Sequence, residues 1–263
     1  MVTVVKIGGN VIDSPELLAT FLERYIKIDG LKVLVHGGGK IASAVSQALG
    51  VAPQMVDGRR VTDAQTIDIV TMVYAGLVNK RMVASLQALG CNAIGLSGAD
   101  ANLICGVKRP SQPIDFGFVA DLTDSSINTE VLTQLLEVGI CPVFSAIVHD
   151  GNGQLLNCNA DTIASSIAVA LARQSEVKLV YCFEKRGVLA DVEDDTSVIK
   201  TIKKDQLNEL VSTGVVAKGM LPKLQNSFDA LDHGVASVVI TQAEDVLLAA
   251  SADGSCGTTL CIE

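Results

Sequence analysis

Apolar residues come in short blocks broken by glycine or charge, and two spacings alternate along the chain. Val2–Ile7 is an apolar run ending at Gly8-Gly9, and Leu31–Val35 is a second, ending at His36-Gly37-Gly38-Gly39. Runs of this length bounded by turn residues predict buried strands. Between them, Ser14-Pro15-Glu16 supplies an N-cap, a proline at the first helical position and a first-turn acid, so a helix is expected to about Ile28. Further helices are expected over Ile41–Leu49, Ala64–Leu89 (opened by Thr62-Asp63), Asn128–Val138, Asp161–Ala172, Lys203–Thr213 and Met220–Asp232. Strands are expected at Ala93–Leu96, Cys141–Val148, Lys178–Phe183 and Val235–Thr241, with Gly257–Cys261 as a last edge strand. Leu103 to Leu122 departs from this pattern. There apolar and polar residues alternate between Gly106, Pro110, Pro113 and Gly117, which predicts β-hairpins, and Asp150-Gly151-Asn152-Gly153 predicts another hairpin turn.

Repeated β-α units predict an α/β fold with a central, mostly parallel sheet and helices on both faces. Ligands of such sheets bind outside the carboxyl ends of the strands. Those ends carry the unusual residues here: Lys6-Ile7-Gly8-Gly9, His36-Gly37-Gly38-Gly39 and Ser97-Gly98-Ala99-Asp100.

Composition narrows the picture. The 263 residues are 49% hydrophobic but include no Trp and only 3% aromatics, so the core must be Val, Ile, Leu and Ala, as under a helix-covered parallel sheet. A net charge of −9 argues against a general nucleic-acid surface. Any anion site must therefore use a few Lys and Arg together with backbone N–H groups. The apolar stretches are strand-sized, so no membrane span is expected, and Met1 leads into a strand without a basic leader, which points to the cytoplasm. Seven scattered cysteines without a C-x-x-C read as reduced thiols rather than a metal site.

Neither common nucleotide motif is present: there is no G-x-x-x-x-G-K-[ST], and no G-x-G-x-x-G follows a strand. Two glycine clusters between a strand and a helix remain, Gly8-Gly9 and Gly37-Gly38-Gly39. In that position glycines let the backbone approach an anion and aim several N–H groups at it. His36-Gly37-Gly38-Gly39 has a rival meaning as the oxyanion loop of a serine esterase. The only elbow candidate, Gly95-Leu96-Ser97-Gly98-Ala99, has its second glycine one place early, and His149 and His233 lack an evident acid partner.

Five segments then fit together in order: Lys6-Ile7-Gly8-Gly9, Val35-His36-Gly37-Gly38-Gly39, Gly58-Arg59-Arg60-Val61-Thr62, Asn157-Cys158-Asn159-Ala160-Asp161 and Gly219-Met220-Leu221-Pro222-Lys223. With them the chain resembles the amino-acid kinase superfamily and, within it, the N-acetylglutamate kinase family. The resemblance implies a three-layer α/β/α sandwich. An N-terminal lobe, residues 1–173, would bind acylglutamate and dimerise, and a C-terminal lobe, residues 174–263, would bind ATP. It implies transfer of the γ-phosphoryl of ATP, carried with Mg²⁺, to the γ-carboxylate of N-acetyl-L-glutamate, a step of arginine biosynthesis. By matching position, Lys6 and Lys223 would flank the phosphoryl and Asp161 would organise both lysines. Gly38, Gly39, Arg60, Asn157 and Asn159 would hold the substrate, while Gly8, Gly9, Glu184, Gly187, Gly219 and Met220 would hold phosphate and nucleotide. No protein metal site is implied.

Elementary chemistry agrees with that implication. Phosphoryl transfer needs positioning and charge neutralisation, which two ammonium groups and Mg²⁺ provide. The nucleophile, a carboxylate of pKa about 4, is already ionised, so no base is needed. The Arg60 fork suits a carboxylate. Plainer readings stand beside these. Asn157 and Asn159 suit a turn, Asp161 a helix cap, Lys223 a solvated helix face and His36 a local hydrogen bond. Met72, Tyr74 and Met82 suit core or dimer packing.

The chain departs from the family pattern after the strand ending at Phe183. Glu184 stands where the family commonly has aspartate, followed by Lys185 and Arg186, either phosphate contacts or solvated charges. Residues 105–118 are expected to border the acyl pocket. The basic pair Lys108-Arg109 keeps a larger anionic acyl group, as in N-succinylglutamate, open as an alternative. The arginine-inhibited relatives carry an N-terminal helix that this sequence lacks, so a homodimer without arginine feedback is expected. Another amino-acid kinase, a non-catalytic sensor of the same fold and the esterase remain distant alternatives.

Overall fold

In the computed structural model, which describes every residue except 214, 217–219 and 252–255, the sequence pattern becomes alternating strands and helices. The chain runs β1 (Val2–Ile7), α1 (Gly9–Asp13), α2 (Pro15–Tyr25), β2 (Leu31–His36), α3 (Gly39–Ala48), β3 (Met55–Val56), β4 (Arg59–Arg60), α4 (Ala64–Thr71), a π-helical segment (Met72–Val78), α5 (Asn79–Ala88), β5 (Ala93–Leu96), β6 (Val107–Lys108) and β7 (Ala120–Asp121). It continues through α6 (Thr129–Glu137), β8 (Cys141–Ser145), β9 (Ile147–His149), β10 (Leu155–Asn157), α7 (Ala160–Ala172), β11 (Val177–Phe183), β12 (Thr201–Lys203), α8 (Leu207–Ser212), α9 (Leu221–Asp232), β13 (Ser237–Gln242), α10 (Val246–Ala250) and β14 (Thr258–Cys261).

The central sheet has eight strands in the order β12-β14-β13-β11-β1-β2-β8-β5. Pairs β1–β11, β11–β13, β2–β8, β5–β8 and β12–β14 are parallel, and β13–β14 is antiparallel. Two expectations are corrected by this order. The strand at Thr258–Cys261 is not an edge strand. Thr201–Lys203, to which the sequence pattern assigns no strand, lies outside it and forms the edge. Three residues, one of them buried, are too few to show a period against the following helix.

The contacts divide the chain into two compact units, Met1–Val33 with Ile167–Glu263, and Leu34–Ser166. β1 pairs with β11 from Val2↔Val177 to Ile7↔Cys182, which ties the first strand to the C-terminal part of the chain. In the first unit, β11 is buried at all seven positions, and Val4, Val5, Val180, Val239 and Ile240 form an aliphatic core. In the second, Val35, Val143 and Phe144 of the strands and Met82, Leu86 and Leu136 of the helices are buried. This unit also holds two small hairpins, β3–β4, which carries Arg59 and Arg60, and β6–β7, which pairs Val107 with Asp121 and Lys108 with Ala120.

Helix starts follow local chemistry. Ser14 Oγ accepts from Leu17 N–H at 3.4 Å, Asp63 Oδ1 from Thr66 N–H at 2.8 Å and Asn128 Oδ1 from Val131 N–H at 3.3 Å. The expected long helix from Ala64 is continuous to Ala88 but carries the π segment in its middle. Such segments are rare and concentrate at functional sites. No helix among the described residues is long and apolar enough to cross a membrane.

Candidate active site

The first unit gathers its expected residues at the carboxyl ends of β1 and β11. Lys6 is the one position of β1 that is not fully buried. Gly8 donates its N–H to Cys182 O at 2.7 Å, and a Cβ at Gly8 would stand 3.1 Å from Phe183 Cβ, so this turn passes too close to β11 for a side chain. Gly9 opens α1, and nothing lies within 4 Å of where its Cβ would be. Packing therefore does not explain Gly9. Lys223, in the first turn of α9, holds Nζ 4.8 Å from the centre of the Phe183 ring, a cation–π contact that aims the ammonium at the end of β11. Met220 immediately precedes that helix, and Gly219 lies outside the described residues.

Glu184 accepts from Asn10 Nδ2–H at 2.7 Å, which links the loop after β11 to the glycine turn after β1. Of its neighbours, Lys185 bonds Asp195 at 2.7 Å on the surface, so it is a solvated loop charge. Gly187 has a packing reason to be glycine, since a Cβ there would meet Thr258 Oγ1 at 2.7 Å and Val198 Cγ1 at 2.9 Å.

The second unit assembles the expected substrate residues around the glycines after β2. Arg60 is 8% exposed. Its Nη2 donates to Gly39 O at 2.9 Å and to Ser43 Oγ at 2.7 Å, while Nη1 is buried without a hydrogen-bond partner. Buried donors are nearly always satisfied, so this nitrogen calls for an acceptor. Gly38 has φ +154°, and a Cβ there would lie 3.0 Å from Tyr74 Cδ1. Tyr74, on the π segment, thus walls the glycine turn. Burial pushes its hydroxyl above the usual phenol range, and nearby Arg60 offsets part of that.

Asn157 is buried at the end of β10 and donates Nδ2–H to Thr62 Oγ1 at 3.1 Å. Asn159 is exposed and accepts from Asp161 N–H at 2.7 Å, so Asn159 rather than Asp161 caps α7. The Asp161 side chain is buried at the second position of the helix. Residues 116–119 thread between these groups: Thr62 N–H donates to Phe116 O at 2.8 Å, Phe118 N–H to Thr62 O at 2.7 Å and Asn157 N–H to Phe118 O at 2.9 Å. The segment expected to border the acyl pocket is therefore bonded to the residues beside it. Its basic pair is already engaged. Arg109 grips Asp121 with Nε at 3.0 Å and Nη2 at 2.5 Å, and Lys108 lies 4.9 Å over Phe118. That removes the motive for an anionic acyl group.

The esterase alternative also falls. Ser97 Oγ donates to Asp100 Oδ2 at 2.8 Å, and His149 Nδ1 accepts from Gly151 N–H at 3.2 Å, so neither faces the other as nucleophile and base. His36 is fully buried. Its Nδ1 bonds Gly37 O at 2.8 Å and its Nε2 meets Asn79 Nδ2 at 2.9 Å. Burial, joined by the nearby Lys80 charge and opposed by the Gly37 bond, pushes its pKa down to about 4 from 6.5. The unfolded chain then binds a proton between those values and the folded chain does not. The stabilisation is complete above about pH 6.5 and is lost as pH falls toward 4, about 3 kcal/mol in all. Denaturant unfolding from pH 4.5 to 7.5 should show that rise in the native protein and a shallower one in a His36→Gln variant. Equal slopes would refute it.

Asn10, Ser43, Tyr74, Asn79 and Phe183 were not singled out from sequence as part of either half. Ser43 alone had a legible signal, since it lies one helical turn after Gly39.

In the first unit lysines stand beside a glycine turn at a strand end, and in the second a buried arginine stands beside another; phosphotransferases use such groups. The chain belongs to the amino acid kinase family, whose model matches residues 1–242, and it is a kinase. It is 54% identical over 258 residues to the acetylglutamate kinase of Cytophaga hutchinsonii, covering 98% of this chain and 97% of that one. It is 50% identical over 244 residues to the acetylglutamate kinase of Phocaeicola vulgatus, covering 93% and 94%. Among solved structures, the Streptococcus mutans protein smu.665 superposes with a TM-score of 0.79 at 26% identity, over 100% of this chain and 99% of that one.

Proposed function

We infer that the protein is an acetylglutamate kinase, which transfers the γ-phosphoryl of ATP to the γ-carboxylate of N-acetyl-L-glutamate. The observation that carries this reading is the near full-length identity to acetylglutamate kinases. The buried, half-satisfied guanidinium of Arg60 supports it from the substrate side.

In the proposed reaction a γ-carboxylate oxygen attacks the γ-phosphorus, the bond to the β,γ-bridging oxygen breaks, and ADP leaves with that electron pair. The carboxylate is ionised at neutral pH, so no residue needs to take a proton. Lys6 and Lys223 neutralise charge on the phosphoryl oxygens and the leaving phosphate. ATP arrives with Mg²⁺, which adds charge neutralisation. Gly8, Gly9, Met220 and Gly219 approach the phosphates. Glu184, fixed by Asn10, stands on the nucleotide side. Gly38 and Gly39 face the acceptor, Arg60 takes its α-carboxylate, and Asn157 and Asn159 hold its amide side. Asp161 is the third proposed catalytic residue. This is the acylglutamate step of arginine biosynthesis, carried out in the cytoplasm.

ADP release with N-acetylglutamate, N-succinylglutamate, glutamate and aspartate, alongside hydroxylamine trapping of the acyl phosphate, tests the reading. N-acetylglutamate should be the best substrate by far. Turnover of none would refute the kinase assignment, and preference for free glutamate would move it to a γ-glutamyl kinase. We also propose a homodimer. Met72 is 56% exposed on the π segment, an apolar side chain that a second copy would cover. Sedimentation should give twice 27.5 kDa, and a stable monomer or hexamer would overturn it.

A further inference from the structure

We propose that Lys80, Asn79 and His36 form a one-way hydrogen-bond relay that fixes the Gly37–Gly38 peptide and strengthens its N–H as a donor to the anionic reactants. The proposal rests on the kinase reading, in which Gly38 faces the acceptor.

The direction of the relay follows from its atoms. Asn79 Nδ2 lies 2.9 Å from Val143 O and 2.9 Å from His36 Nε2. A carbonyl only accepts, so this atom must be the amide nitrogen, and its two hydrogens serve these two neighbours. Asn79 Oδ1 accepts from Lys80 Nζ at 3.1 Å, as an ammonium requires. A flipped amide would set oxygen against the Val143 carbonyl and NH₂ against the ammonium. His36 Nε2 is therefore an acceptor, Nδ1 carries the proton, and that proton goes to Gly37 O at 2.8 Å. The 37–38 peptide is trans, so its N–H points opposite to its carbonyl. Every donor in the chain points from Lys80 toward Gly38. Bonds in such a series polarise one another, which makes the terminal N–H more positive.

A second observation shows that room has been kept for the relay. Gly95 sits in β5, yet a Cβ there would lie 2.0 Å from Asn79 Oδ1 and 2.8 Å from Lys80 Nζ. Lys80 also donates to Gly95 O at 2.8 Å. Glycine weakens a strand interior, and here it clears the space that the amide and ammonium occupy. Residues 36, 79 and 80 are positioning residues, since Gly38 is the group that meets the reactants.

A network that only held the fold together would have no reason to act on turnover alone; the tautomer tests the direction of the relay and kcat tests its role. The chain has three histidines, so long-range ¹H–¹⁵N spectra of histidine-labelled protein can be resolved, with His36→Gln assigning the signal. His36 should be protonated at Nδ1 alone from pH 5.5 to 8. Lys80 is exposed, so Lys80→Met should fold normally, with kcat for N-acetylglutamate about 3–10-fold lower and both KM values within about twofold. Lys80→Arg should restore most of the loss. Gly95→Ala, which displaces the amide, should lower kcat by more than Lys80→Met does. An Nε2-protonated His36, or wild-type kcat in Lys80→Met, would overturn the relay. Wild-type protein inactive on every acylglutamate would instead strike the kinase reading, whatever the spectra show.

Discussion

Replacing Lys6 with methionine is expected to lower kcat about 10²–10³-fold while both KM values stay within a few-fold. The reason is electrostatic. Charge spreads over the phosphoryl oxygens as the bridging bond breaks, and a fixed ammonium gains most at that moment. Lys6 is suited to stay fixed because it sits in β1, whose flanking residues Val5 and Ile7 are fully buried. Methionine keeps the length and the apolar stem but loses the charge, so the strand should hold and stability change little. Thermal unfolding of the variant should match the native protein, which separates lost chemistry from lost fold. Unchanged turnover in a folded Lys6→Met protein would remove Lys6 from the catalytic machinery. Lys223→Met is the companion case. Its loss should likewise lower kcat with both KM values little changed.

Arg60→Met should act on binding instead, with KM for N-acetylglutamate raised about 10–100-fold and KM for ATP unchanged. A charge-assisted, forked contact to a carboxylate contributes about 1.5–3 kcal/mol, which sets that range. The same side chain gives a readout free of turnover. Nη1 is buried without a partner, and leaving such a donor unsatisfied costs about 1–3 kcal/mol until a ligand supplies an acceptor. Saturating N-acetylglutamate should therefore raise the thermal midpoint of the native protein by several degrees and leave Arg60→Met nearly unmoved. Arg60→Lys should rescue little, because one ammonium cannot serve Gly39 O, Ser43 Oγ and a carboxylate with the same planar fork. An equal ligand shift in all three proteins would place the α-carboxylate elsewhere.

The strand ends were legible in sequence because they combine two strong signals, an apolar run and an abrupt glycine cluster. Gly38 shows how far that signal reaches: its positive φ and close approach explain why glycine stands there, but Tyr74, the group it accommodates, comes from 36 residues later on a helix. Tyr74 read as a packing residue because aromatic residues at helical spacing usually are. The edge strand Thr201–Lys203 was missed because its pairing with β14 is a long-range fact. The engaged state of Arg109 was equally hidden, since Asp121 lies across a hairpin whose register the sequence did not fix. The pairing of β1 was hidden likewise, as its partner lies 175 residues away at Val2↔Val177.

The π segment at Met72–Val78 sets the angular phase of the helix on its C-terminal side. An α-helix turns about 100° per residue, so a helix that accommodates one extra residue delivers every later side chain rotated by about that amount relative to an unbroken helix. Asn79 and Lys80 are the first two residues past the segment. Deleting one residue within 72–78 would let the helix run straight, with its hydrogen bonds made and its core-facing ends intact. Asn79 would then keep its bearing on His36, because the wide turn has absorbed one residue's rotation. The π segment therefore lets the helix hold one more residue than an unbroken α-helix of the same phase, while Asn79 still meets His36 at 2.9 Å.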